Sequence, residues 1–206
     1  MDGPARGEPL WLWWGVLLLL GLSGIKPQAD RLTWLLETLP VMIGLLLLAL
    51  TWRRFPLTPL LCRLLALHAL ILMVGGYYTY AQVPLFNDLR DAFELARNDY
   101  DRLGHFAQGF VPAILSREIL LRRSPLRPGG WLFFLTVCVC LAFSAFYELI
   151  EWGVALLSGQ AAEAFLGTQG DVWDTQTDMF LALVGAISAL LLLRQVHDRQ
   201  LQRIMD

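Results

Sequence analysis

Residues 167–193 read GTQGDVWDTQTDMFLALVGAISALLLL: three aspartates and no basic residue, running without a break into an almost wholly apolar stretch. The apolar half decides the fold class. Crossing a bilayer takes roughly 20 apolar residues, and a segment inside lipid must satisfy its own backbone N–H and C=O groups, which an α-helix does and an open strand does not. Asp178 to Val196 is therefore read as a membrane helix, and the question becomes why three carboxylates stand at its mouth.

The rest of the chain agrees with a membrane setting. Of 206 residues, 56% are hydrophobic and 17% charged, against about 45–50% apolar and about 25% charged in soluble domains. Six spans are expected, at about Leu10–Ile25, Trp34–Trp52, Thr58–Gln82, Leu103–Leu121 (the least apolar), Trp131–Leu157 and Asp178–Val196. The Trp11, Trp13 and Trp14 cluster and the weakly basic start favour a retained first helix over a cleaved signal. The fold class is all-α, a polytopic membrane protein forming a single transmembrane domain over residues 1–206. The net charge of −2 excludes a nucleic-acid partner, which requires a basic face. The bilayer is the one partner the composition implies, and protein partners are not specified. Cys62, Cys138 and Cys140 are too few and too badly spaced for a disulfide framework or a zinc site, and read as small buried apolar side chains.

Two connections are long. In residues 84–102, PLFNDLRDAFELARNDYDR, the spacing of Phe86, Leu89, Phe93 and Ala96 predicts an amphipathic helix at the outer interface. Residues 158–177 form an acidic loop. The arginines orient the chain. Arg6, Arg53, Arg54, Arg122, Arg123, Arg127, Arg194, Arg199 and Arg203 fall on one side, against Lys26, Arg31, Arg90, Arg97 and Arg102 on the other. Both termini are thus expected in the cytoplasm and both long connections outside.

Ionisable groups in or beside membrane spans are costly, so each is a functional candidate. In YDRLGHFAQGF (100–110), helical spacing puts Asp101, His105 and Gln108 on one face, with Arg102 beside them. In SAFYELIEWG (144–153), Glu148 and Glu151 are three apart, with Tyr147 before them; two such carboxylates repel unless a cation or proton sits between them. Asp171, Asp174 and Asp178 share a helical face, with Gln169 just before; capping accounts for one aspartate, and Asp174 is the N-cap candidate. All three clusters fall at the same, outer membrane depth. Such a set suits a divalent cation: magnesium, manganese or calcium through oxygen ligands, or zinc through His105 and carboxylates. Glu151, Asp174, Asp178 and Asp171 are the candidate ligands, with His105 or Glu148 as catalytic base. Elsewhere, Arg63 is expected to snorkel and His68 to form a structural hydrogen bond or serve a proton relay. Arg117 and Glu118 are expected to pair with neighbouring helices, and Pro112 to kink its helix.

YDRLGHFAQGFVPAILSREIL, YELIEW and FLGTQGDVWDTQTDM resemble the YjdF-type bacterial inner-membrane proteins, grouped by a domain of unknown function, over about Trp34–Leu193. The resemblance implies a multi-pass protein of the bacterial inner membrane and supplies no activity. More distantly, the order of Asp101-Arg-x-x-His105, a glutamate pair and spaced aspartates before a glycine-containing helix is similar to VanZ-like membrane proteins. Three functions remain open on the residues: a metal-dependent membrane-embedded enzyme acting on a lipid or envelope substrate, an ion- or proton-coupled transporter, and a scaffold using the acids as a partner face. Clustering at one depth and the lack of a detectable inverted repeat favour the enzyme over the carrier.

Overall fold

The computed structural model describes residues 10–158 and 168–205. Arg6, Gly167 and much of the 158–177 connection lie outside the described residues. The regular secondary structure of the described residues is all helical, with no strand among them. In chain order the helices are α1 (Trp11–Ser23), α2 (Arg31–Thr51), α3 (Pro59–Tyr78), α4 (Pro84–Ala92), α5 (Tyr100–Arg123), α6 (Gly130–Ser158) and α7 (Asp174–Met205), with a single 3-10 turn at Tyr80–Gln82 between α3 and α4.

Four of these, α2, α3, α6 and α7, are long and apolar enough to cross a membrane. Of the six expected spans, these four meet that standard, and two do not meet it by length and composition alone. α1 is apolar but has only 13 residues. α5 has the length, 24 residues, but His105, Gln108, Ser116 and the Arg117–Glu118 pair make it less apolar than the other four. Its position explains that polarity: α5 packs against α3, α6 and α7 at once, so its polar side chains face protein rather than lipid. The apolar faces of the outer helices point away from the bundle, as with Leu46 and Leu50 on α2, Phe143 and Phe146 on α6, and Leu191 and Leu192 on α7, all exposed. Exposed apolar surface that extensive is what contact with lipid requires.

Local chemistry sets the helix ends. Asp30 caps α2, accepting from Leu32 N and Thr33 N at 2.9 and 3.0 Å, and Thr58 caps α3 ahead of a first-turn Pro59. The third expected span stops short of Gln82 because Thr79 turns the backbone to φ 65°, a conformation a β-branched residue rarely adopts. The following Tyr80 ring then lies against Gly75 and Gly104, where side chains would collide with it. The 84–102 segment is likewise not one amphipathic helix: α4 ends at Ala92, Glu94 takes φ 51°, and 93–99 are non-helical. Phe86 is half-buried, while Leu89, Phe93 and Ala96 are exposed. Pro112 sits inside a continuous α5. Of the cysteines, Cys62 and Cys140 are buried as expected, and Cys138 is exposed on the outer face of α6.

α5 and α7 run parallel and very close. Gly109 lies on the Ala182 carbonyl and Gly185 on the Phe106 carbonyl, so that a Cβ at either glycine would overlap backbone. Ala113, Ala182, Ala186 and Ala189 complete a seam of small, fully buried residues, the device by which membrane helices approach without large side chains between them.

Candidate functional site

The register of that seam builds the site. One turn towards the N-termini from Gly109 and Ala182 stand His105 and Asp178; one turn further stand Asp101 and Asp174. Parallel helices in this register put all four polar side chains on the facing surfaces of α5 and α7, at two helix N-termini, where the backbone dipole favours negative charge. All four are buried, as is Glu148, which α6 brings to the same place.

His105 is the centre. Its Nδ1 lies 3.0 Å from Gln108 Oε1, an acceptor, so Nδ1 carries the proton. Nε2 faces two carboxylates, Asp101 Oδ1 at 3.5 Å and Asp178 Oδ2 at 3.7 Å. Both distances are too long for good hydrogen bonds. Potential ligand atoms of Asp101, His105 and Asp178 lie within 4.8 Å of one another. Glu148 Oε1 is 3.8 Å from Nδ1. Glu148 Oε1, Asp178 Oδ1 and the Ser144 hydroxyl, all buried, have no hydrogen-bond partner among the described residues.

The remaining acids are taken by two arginines. Arg97, buried just before α5, contacts Asp174 through Nη1 and Asp101 through Nη2 at 3.3 Å, with Asp171 at 3.6 Å. Burial alone would lower the Arg97 pKa, but the hydrogen bond and charge of Asp174, with the charges of Asp101 and Asp178, outweigh it and raise it. Arg97 therefore stays cationic. Arg102, at the rim, contacts Asp99 at 3.0 Å and Asp171 at 3.3 Å. Asp171 also accepts from Trp173 N at 2.9 Å. α7 begins at Asp174, so Asp174 is its first residue rather than its N-cap; its carboxylate goes to Arg97, and Asp171 closes an Asx turn just before the helix. The sequence grouped Asp171 and Asp174 with the metal ligands and left Asp101 outside; the structure pairs the first two with arginine and sets Asp101 beside His105 and Asp178.

Gln169 has a supporting position. Its side chain accepts from Asn98 N and donates to Asn98 O, both at 2.9 Å, tying the acidic loop to the segment before α5. Tyr147 and Glu151 are only half-buried, and both are within Coulomb range of Asp101 and Glu148.

Two residues of this region escaped the sequence. Glu37, buried in α2, lies within Coulomb range of Asp101 and His105. As a single acid in an apolar run it was the signal to follow. Asn98, fully buried, donates to Val83 O at 3.0 Å and Asn87 Oδ1 at 2.8 Å and accepts from Tyr100 N at 3.1 Å; nothing in its neighbours marks it.

At the opposite end of the bundle lies a second polar cluster. Glu118, fully buried, accepts from the Thr58 hydroxyl at 2.8 Å, Arg122 at 2.7 Å and His197 Nε2 at 3.0 Å. Arg117 sits 2.9 Å from His197 Nδ1 and 2.6 Å from Asp198. Arginine only donates, so Nδ1 accepts, and His197 is the neutral Nε2–H tautomer with both ring nitrogens engaged. The cluster is a satisfied clamp joining α3, α5 and α7, as expected of Arg117 and Glu118; His197 is the partner the sequence did not supply. His68 Nε2, expected to form a hydrogen bond, is buried without one among the described residues.

Residues 9–199 match the model of a family described as predicted membrane protein, DUF2238. The chain is 55% identical over 186 residues to the inner membrane protein YjdF of Escherichia coli (strain K12), covering 90% of this chain and 88% of that protein. No solved structure matches it.

Proposed function

The chain belongs to the DUF2238 family of predicted membrane proteins, and from that premise we propose that the His105 centre binds a divalent cation and performs hydrolysis or group transfer on a lipid or cell-envelope substrate. One observation carries the reading: the distances from His105 Nε2 to Asp101 and Asp178, 3.5 and 3.7 Å, exceed hydrogen-bond lengths but suit two ligands of one ion. Tetrahedral zinc with bonds of about 2.1 Å holds its ligands about 3.4 Å apart. Charge supports it. Five buried acids (Glu37, Asp101, Glu148, Asp174 and Asp178) face two buried basic groups, Arg97 and His105. The acids outnumber the bases even with His105 protonated, and such a surplus is relieved by a bound cation or by protons shared among the carboxylates. One histidine and two carboxylates, with a position left open, form the donor set of a catalytic rather than a closed structural site.

The chain's residues divide the work. Gln108 fixes the His105 tautomer. Arg97 holds Asp101 and Asp174 in place. Glu148, with its unpartnered Oε1, is placed to take a proton from a nucleophile. A cation held by Asp101, His105 and Asp178 would supply a nucleophilic water at neutral pH and charge neutralisation on a phosphoryl or carbonyl oxygen. The test is turnover by the detergent-purified protein on envelope phospholipids and isoprenoid phosphates, with zinc or manganese added. Glu148→Gln is expected to retain the ion and lose turnover; turnover of none of these lipids by a metal-loaded wild type rejects the enzyme.

A second reading is cation- or proton-coupled transport. It rests on Glu37, which extends the acidic path from the centre onto α2. Uptake into proteoliposomes that disappears in Glu37→Gln supports that reading instead. Both readings place the protein in the bacterial inner membrane with the centre at the outer face and both termini in the cytoplasm.

A further inference from the structure

A half-open cavity of about 470 Å³ lies between α1, α2, α3 and α5. It does not touch the His105 centre. Its wall is mostly apolar, with Val41, Leu45 and Leu48 on α2, Leu65 and Leu72 on α3, and Leu115 on α5; His68 of α3 also lines it. Along α2 it extends from Pro40 to Thr51, about 16 Å at 1.5 Å per residue. That is about the depth of one leaflet of a hydrocarbon core some 30 Å thick.

One end is cationic. Arg123 and Phe55 line the cavity there, and the guanidinium carbons of Arg122 and Arg123 stand 3.6 and 5.2 Å from the centre of the Phe55 ring. Arg53 and Arg54 are exposed in the same α2–α3 turn. Arg122 is engaged by Glu118, whereas Arg53, Arg54 and Arg123 form no ion pair with the described residues. One cation lining an apolar slot one leaflet deep, with two more exposed in the adjoining turn and none of the three ion-paired among the described residues, matches an amphiphile with a negative head and a hydrocarbon tail.

We propose that this cavity holds one acyl chain of an anionic phospholipid, with the phosphate among Arg53, Arg54 and Arg123. The proposal does not depend on the cation centre. It separates from general solvation by lipid through Gly44, which lines the cavity and where an added Cβ meets nothing within 4 Å. Gly44→Leu therefore adds bulk at the wall of the slot from a position where its Cβ meets no backbone.

The experiment is thermal melting of the full-length protein in a neutral detergent with dioleoyl phosphatidylglycerol, dioleoyl phosphatidylcholine or sn-glycerol 3-phosphate. A ligand of the native state raises the midpoint. Phosphatidylglycerol is expected to raise it well above phosphatidylcholine, and glycerol phosphate to leave it unchanged, because the chain contributes as well as the head. Arg123→Gln should weaken the phosphatidylglycerol response about fivefold in concentration, and Gly44→Leu should abolish it while melting normally without lipid. Equal responses to the two lipids, a full response to glycerol phosphate, or an undiminished response in a folded Gly44→Leu each overturn the proposal.

Discussion

Gly109 of α5 rests on the carbonyl of Ala182 in α7 so closely that no Cβ fits between them. That contact sets the spacing of the two helices one turn beyond His105 and Asp178, so the seam and the centre are mechanically one unit. Gly109→Ala must push the helices apart. Overpacking a tight contact costs about 1–3 kcal/mol, and here the obstacle is backbone, so the upper end is expected. A lower melting point together with weaker metal retention is the outcome; unchanged metal retention would show that the centre does not depend on the seam.

Arg97 is the counter-ion of Asp174 and Asp101. Removing one partner of a buried ion pair costs about 3–5 kcal/mol, because the other charge is left alone. Arg97→Ala is expected to destabilise by about that much in denaturation experiments, and Arg97→Ala with Asp174→Ala to recover part of the loss. Arg97→Lys cannot span both carboxylates as a fork and should fall between. If the double variant is no better than the single one, the two side chains are not energetically coupled.

The Glu118 clamp predicts a different signature. Glu118→Ala strands Arg122 and leaves the His197 N–H without its acceptor, so a loss of about 3–5 kcal/mol is expected, with metal content per folded molecule unchanged because the clamp lies at the far end of α5. His197→Phe keeps the volume but leaves Arg117 with only Asp198 and removes one donor from Glu118; it should destabilise less than Glu118→Ala. Metal loss in either folded variant would mean that the two ends of α5 communicate.

What the sequence made legible followed simple periodicity. The long apolar runs located α2, α3, α6 and α7, because burying a continuous apolar face in lipid needs no knowledge of neighbours. α5 reads as the least apolar of the expected spans, and its packing against α3, α6 and α7, which only the fold reveals, is what shields its polar side chains. The breaks at Thr79 and Glu94 come from positive φ at residues that do not advertise it. In the candidate site, i to i+4 spacing aligned Asp101 with His105 and Asp174 with Asp178. Which acids meet arginine and which meet histidine depends on the α5–α7 register, set by Gly109 and Gly185 across more than seventy residues of chain. Glu37 stands out as a single acid in an apolar run, but it comes from a fourth helix, and its approach to His105 has no local signature.

The central claim is tested most directly by elemental analysis of the detergent-purified protein after equilibration with zinc or manganese and removal of the excess. Wild type, Asp178→Asn, Asp174→Asn and Glu151→Gln are compared at equal folded concentration. The account predicts one tightly held divalent ion per wild-type chain. Asp178→Asn should lose it, because its carboxylate faces His105 Nε2, and Glu151→Gln should retain it. Asp174→Asn should retain it with weakened affinity, since that carboxylate belongs to Arg97. No bound ion in wild type, or the same ion content in Asp178→Asn as in wild type, would contradict the account.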